Sequence, residues 1–255
     1  YRYNTIQSIL FAFFLSTGIF VFYVITRYNF SIIVKLFKQK KIGNIFNEIY
    51  ANNIFLFSWI AITFLFNTFF AGGSARYTNN LIPPITIFYF NIIDRYSFLN
   101  RTNLKNFVML STTFSIALSI FVAFADYEFA KVYKDFANTV DKYKINGNTI
   151  WFADHYGFRY YMENEGYNIF GITDNSRLKK GDVLIKAQKS FPGTFPALLN
   201  DRLKLIDAIN YSSTLPLRIQ NPESRAGFYT FGGGFLPYSV SNASLENFYV
   251  YRVIK

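Results

Sequence analysis

Charged residues leave four long gaps in the first half of the chain, and those gaps are its strongest structural signal. No Asp, Glu, Lys or Arg occurs between Arg2 and Arg27, between Glu48 and Arg76, between Arg76 and Asp94, or between Lys105 and Asp126. The gaps are 24, 27, 17 and 20 residues long. A bilayer core about 30 Å thick is crossed by roughly 20 helical residues, and burying a charge at its centre costs about 2.5–3.5 kcal/mol. The pattern therefore predicts transmembrane helices near residues 4–26, 54–73, 81–93 and 106–125. The third is short, and Pro83 and Pro84 near its start place the beginning of its helix there, because proline suits a first turn and breaks an interior. A re-entrant or interfacial segment is the alternative for a stretch of that length.

After Asp126 the period changes. Phe129, Val132, Tyr133, Phe136, Val140 and Tyr143 recur at three- and four-residue spacing with Lys131, Lys134, Asp135 and Lys142 between them, which predicts an amphipathic helix continuing from the last span. Asn146-Gly147-Asn148 reads as a turn. Thr149–Ala153 reads as a strand buried on both faces, followed by a helix over 157–164 that Gly166 closes with a left-handed cap. Residues 182–187, 203–210, 215–219 and 248–254 read as further strands, antiparallel towards the end of the chain. The expected fold is thus a membrane α-helical region of about four transmembrane helices, residues 1–125, followed by a small extracytoplasmic α/β domain, residues 126–255.

Composition agrees with this division. Of the chain's 255 residues, 51% are hydrophobic and 16% charged, and phenylalanine occurs 32 times. Residues 1–125 hold ten Lys/Arg against two Asp/Glu, whereas residues 126–255 hold sixteen against thirteen, within a total charge of +11. With four spans, the loop bearing Arg27, Lys35, Lys38, Lys40 and Lys41 lies on the same side as Arg95, Arg101 and Lys105. The positive-inside rule puts both loops in the cytoplasm, which leaves Ala71–Asn80 and everything after Asp126 outside. The basic excess is then a topology signal, and nucleic acid is not an expected partner. The chain opens at Tyr1 without a methionine or a basic leader, directly before an apolar run too long for a signal-peptide core. It is therefore expected to be the carboxy-terminal part of a longer protein.

Candidate chemistry is sparse. The absence of Cys excludes disulfides, thiolate metal sites and a cysteine nucleophile, and a single His, His155, excludes His-pair metal motifs. There is no phosphate loop or dinucleotide fingerprint, and Gly232-Gly233-Gly234 lacks the spacing for one, so it reads as a turn. The Asn-x-Ser/Thr triplets at Asn29, Asn100, Asn210 and Asn242 read as chance matches in an Asn-rich chain. Asp154 and His155 follow the buried strand at its carboxyl end, where open α/β sheets place ligands. The pair could do acid/base work, or could serve a structural role, since adjacent strand residues point to opposite faces. Arg76 and Tyr77, after the small residues Gly72-Gly73-Ser74-Ala75, lie at headgroup depth. An arginine there can hold a phosphate through paired charge-assisted bonds, or can act as an ordinary interfacial anchor.

Two segments carry a family resemblance. Arg76-Tyr77 followed by Pro83-Pro84 at the start of an apolar helix resembles the R-Y-x-x-P-x-x-P type of segment late in the membrane part of C-type superfamily bacterial glycosyltransferases. These are the relatives of protein O-mannosyltransferases and aminoarabinose transferases. Ile150-Trp151-Phe152-Ala153-Asp154-His155-Tyr156-Gly157-Phe158-Arg159-Tyr160-Tyr161-Met162-Glu163, then Gly166, is similar to the W-F-x-x-H-W-G-F-x-Y-Y-M-E-x-x-G segment in the outer domain of a subgroup of them, with Tyr156 where that subgroup often has Trp. Ala226–Tyr229, Gly234–Tyr238 and Phe248–Arg252 resemble the same subgroup's ending. The resemblance implies transfer of a sugar from a polyprenyl-phosphate-linked donor on the outer face of the cytoplasmic membrane. It also implies an acidic residue in an early outer loop as the group that activates the acceptor, with a divalent metal as a possible cofactor whose ligands are not identifiable here. No residue matches that carboxylate, which is expected upstream of Tyr1. Arg76, with Tyr77 beside it, carries over as a contact to the lipid phosphate. Two further readings stay open. One is a non-catalytic membrane-anchored protein that binds a glycan or a partner. The other is a transporter, which the charge-free spans disfavour.

Overall fold

The computed structural model describes residues 5–38, 48–69, 75–96, 101–145, 147–153, 156–171, 176–189, 197–229 and 234–255. Among the described residues five α-helices are formed: α1 (Thr5–Lys38), α2 (Glu48–Phe69), α3 (Ile82–Tyr96), α4 (Arg101–Ala137) and α5 (Tyr156–Asn164). After α4 the described residues form the strands β1 (Ile150–Ala153), β2 (Asn168–Ile169), β3 (Val183–Ala187), β4 (Leu203–Tyr211), β5 (Leu217–Arg218), β6 (Gln220–Asn221), β7 (Ala226–Gly227), β8 (Ser239–Val240) and β9 (Glu246–Val253). The chain divides into two compact units within α4, between Leu118 and Ser119.

Among the described residues, three helical stretches are long and apolar enough to cross a membrane: Thr5–Ile32 and Asn52–Phe69 in the first unit, and Lys105–Tyr143, which runs from the first unit into the second. Most of their apolar side chains point outwards, as in a helix whose surroundings are hydrocarbon. Phe13, Phe20 and Phe22 on α1 are each 61% exposed, and Leu110 on α4 is 71% exposed. The chain is a membrane protein with these three candidate spans. The fourth expected span is different in kind. Helix α3 does begin at the proline pair, but its 15 residues rise only about 22 Å at 1.5 Å per residue, less than the hydrocarbon thickness.

Instead of standing alone, α3 closes a small core. Phe88 is completely buried and meets Tyr28 of α1 edge to face at 5.2 Å, with Ile25, Ile32 and Leu56 around them. Asn29, a buried amide on α1, donates to the Ile25 carbonyl within its own helix. Apolar side chains gain little from leaving lipid for protein, so this core rests on fit and on such satisfied polar groups.

The second unit is built around a five-stranded sheet in the order β2-β1-β3-β9-β4. Strand β1 pairs in parallel with β2 and β3, whereas β9 lies antiparallel between β3 and β4, with a bulge in β4 between Leu205 and Asp207. The helix–strand–helix order of the sequence accounts for the parallel half, and the late strands form the antiparallel half. All four residues of β1 are buried, as its continuous apolar run requires. Gly166 takes φ +81 after α5, the left-handed cap position.

One face of the sheet is covered by the end of α4 and by α5. Phe136 stacks on Phe248 at 3.8 Å, and Tyr133, Phe158, Phe152 and Tyr211 complete an aromatic cluster around that pair. The helix extends only to Ala137. Val140–Tyr143 is a separate 3-10 helix that keeps Val140 and Tyr143 buried, so the predicted apolar face is preserved across a break. On the other face, Leu184, Trp151, Phe170, Leu178, Leu199 and Val253 form a second core. The expected strand over 215–219 shrinks to β5, which pairs with β8 outside the main sheet.

Candidate functional site

Residues Ala75–Leu81 form a 3-10 helix that leads directly into α3 and packs against both α2 and α3. Its first turn carries Arg76 and Tyr77. The Arg76 guanidinium lies over the Tyr77 ring, 4.7 Å from the centroid, and its Nη2 donates to the Tyr77 hydroxyl at 2.8 Å. Cation–π attraction and a hydrogen bond thus act on the same pair. Tyr77 is 36% exposed. Its carbonyl accepts a 3.0 Å hydrogen bond from Nδ2 of Asn67, a buried amide near the end of α2. Arg76 is therefore held by its neighbour's ring, and that neighbour's backbone is pinned to α2. The Arg76 Nε is shielded from solvent and has no hydrogen-bond partner among the described residues, although a buried donor is ordinarily paired. The preceding glycines, Gly72 and Gly73, lie outside the described residues.

Asp154 and His155 also lie outside the described residues. The described residues on either side of the pair are Ala153, the end of β1, and Tyr156, the start of α5. Among the described residues, no three His, Asp or Glu side chains converge where they could hold a metal ion.

Two carboxylates of the second unit, Asp182 and Glu246, are buried, and both are saturated. Asp182 accepts from the Thr149 and Lys179 amides, each at 2.9 Å, and from the Trp151 indole at 3.2 Å, tying β3 to β1 and to the turn before it. Glu246 accepts from the Lys189 and Asn247 amides at 2.6 and 2.9 Å and from the Tyr133 hydroxyl at 3.2 Å. A carboxylate filled with donors in this way staples segments together and is not free to take a proton from a substrate. Lys189, equally buried, extends its ammonium to Glu223.

Arg218 is buried beside β8. Its Nε bonds the Ala243 carbonyl at 2.7 Å, and its Nη1 bonds those of Leu215 and Leu217 at 2.6 and 2.8 Å. Burial lowers its pKa, with the charge of Glu128 opposing. Nearer the surface, Asp207 accepts a 2.5 Å hydrogen bond from the Tyr143 hydroxyl, and that bond is the main cause holding its carboxyl below the ordinary value.

The uncovered part of the sheet is a polar face that the sequence reading passed over. Asn210 donates to Asn247 at 2.8 Å, Asn247 donates to Gln188 at 2.8 Å, and the Tyr249 hydroxyl donates to the same Gln188 oxygen at 3.1 Å. The side chains of Asn247, Tyr249 and Tyr251 share a face because they alternate along β9 with the buried Phe248 and Val250. That alternation is legible in the sequence. Their juxtaposition with Asn210 and Gln188, from two other segments, is not.

No family model, curated protein or solved structure matches the chain.

Proposed function

We propose that this chain belongs to a membrane glycosyltransferase that moves a sugar from a polyprenyl-phosphate-linked donor to an acceptor on the outer face of the cytoplasmic membrane, with Arg76 holding the donor's phosphate. The observation that supports this reading is the setting of Arg76. Its guanidinium is oriented by the Tyr77 ring and hydroxyl, on a short helix set against the end of an apolar span. A guanidinium presents its N–H groups in a planar fork that matches phosphate oxygens, and an oriented one loses less freedom on binding. In this reading α3, with the 3-10 helix that leads into it, is a short fourth crossing, which keeps the second unit outside the cytoplasm, and no residue is assigned to activate the acceptor.

The test is donor binding in lipid nanodiscs with a polyprenyl-phosphate analogue. Arg76→Ala is expected to weaken binding about tenfold or more while the protein still inserts, and Arg76→Lys to restore only part, because an ammonium lacks the fork. Unchanged affinity in Arg76→Ala overturns the reading.

A second reading, a membrane-anchored binding protein without transferase chemistry, is favoured by one observation. The buried carboxylates Asp182 and Glu246 are each saturated by three donors. A transferase activity that Arg76→Ala abolishes excludes this second reading.

A further inference from the structure

The exposed face of β4 and β9 carries a shallow hollow of about 150 Å³, lined by Ala208, Ile209, Asn210, Asn247 and Tyr249. We infer that this hollow is a binding site for one ring of a neutral saccharide. It deepens the proposed function by giving the second unit an acceptor-binding role. The ligand class follows from the lining, and only the word acceptor rests on the transferase reading.

Size comes first. A cavity of this volume admits a six-membered ring. Ala208 stands opposite Tyr249 in the strand register, and Asn210 stands opposite Asn247, so the smallest side chain of the group makes the floor beside an aromatic wall. Tyr251 continues that wall, its ring 6.4 Å from that of Tyr249.

Chemistry comes second. None of the five lining residues carries a charge, which removes the usual reason for binding an anion or a cation. The amides are already bonded to one another and to Tyr249, which fixes their orientation. That ladder leaves both kinds of hydrogen-bonding group unused among the described residues. Gln188 uses only its oxygen, so its NH₂ can donate, and Asn210 uses only its NH₂, so its oxygen can accept. A hydroxyl donates and accepts at once, and a pyranose presents several hydroxyls around an apolar C–H face that packs on an aromatic ring. An aliphatic ring would leave these amides unpaired, which costs affinity. A charged sugar would meet no charge among the five lining residues, and Lys186, beside Tyr249 in the strand register, is the charge on the neighbouring strand.

The experiment uses the whole chain in lipid nanodiscs and neutral trisaccharides, mannotriose, maltotriose and chitotriose, with affinities read by titration and ring contacts by saturation-transfer NMR. At least one trisaccharide is expected to bind. Asn210→Ala, at an exposed position, and Tyr249→Ala are each expected to weaken it about tenfold, equivalent to 1.4 kcal/mol. Tyr249→Phe, which keeps the ring and loses the hydroxyl, is expected to weaken it about threefold. Arg76→Ala is expected to leave it unchanged. A loss of donor binding with saccharide binding intact, or the reverse, therefore separates the two proposals. Thermal melts of the variants confirm that each is folded. Failure of all three sugars to bind, affinity unaltered by both Asn210→Ala and Tyr249→Ala in folded protein, or equal binding of a heparin trisaccharide overturns the inference.

Discussion

Phe20 on α1 is 61% exposed, whereas Phe248 on β9 is completely buried between Phe136 and Phe158. The same side chain is used in two opposite ways because the two units are built for different surroundings. In the first, phenylalanine and isoleucine form the outer surface of long helices, and the interior contact among α1, α2 and α3 is a handful of residues around Phe88. In the second, apolar side chains turn inwards onto a sheet, and charges hold its edges and turns. Aromatic abundance by itself therefore teaches nothing about burial. The spacing of the charges tells which rule applies to each phenylalanine.

The contrast breaks most sharply at Phe248. Phe248→Ala removes the centre of the aromatic cluster and is expected to cost about 3–5 kcal/mol, abolishing or sharply lowering the thermal transition of the second unit while leaving membrane insertion unchanged. A melting temperature close to that of the parent protein would show that the cluster is not this unit's core.

The first unit is sharpened by a charge. Phe20→Lys, near the middle of the Thr5–Ile32 stretch, is expected to disfavour insertion by about 2.5–3.5 kcal/mol, read as the inserted fraction in a translocation assay. The control is Ile145→Lys, at a residue of the second unit that is 53% exposed, which is expected to change stability by no more than about 0.5 kcal/mol. Equal tolerance at both positions would mean that α1 does not meet hydrocarbon.

The smallest effect concerns Tyr143 and Asp207. The folded carboxyl of Asp207 is held below its unfolded value, chiefly by the Tyr143 hydroxyl and further by the Ala208 amide and Lys142, with burial opposing. Its stabilisation is therefore present above the ordinary carboxylate pKa of about 3.9 and is lost as pH falls through the lower folded value. Tyr143→Phe is expected to cost about 1 kcal/mol at pH 7, the low end for a bond to a charged group because the Asp207 side chain is 38% exposed. The difference from the parent protein should close as pH is taken below that range. A gap that persists in acid would assign the effect to packing of the ring.

The sequence alone was enough to locate three long apolar helices, the amphipathic face from Phe129 to Tyr143, and strands β1, β3, β4 and β9, although the units divide at Leu118/Ser119, inside the last of those helices. Each of these is set by local periodicity or by a run of uncharged residues, which any part of the chain carries by itself. Helix α3 shows where that stops. Its start at Pro83 and Pro84 is local, but its pairing with Tyr28 and Leu56 depends on helices 30 to 60 residues away in the sequence. The same limit applies to function. The adjacency of Arg76 and Tyr77 is written in the chain, and so is the two-residue alternation of Asn247, Tyr249 and Tyr251. The anchoring of Tyr77 by Asn67, the saturation of Glu246 by Tyr133 and Lys189, and the amide ladder from Asn210 to Gln188 exist only once distant segments meet. Hydrogen bonds between segments depend on register and orientation, and those are properties of the packed chain that no local pattern encodes.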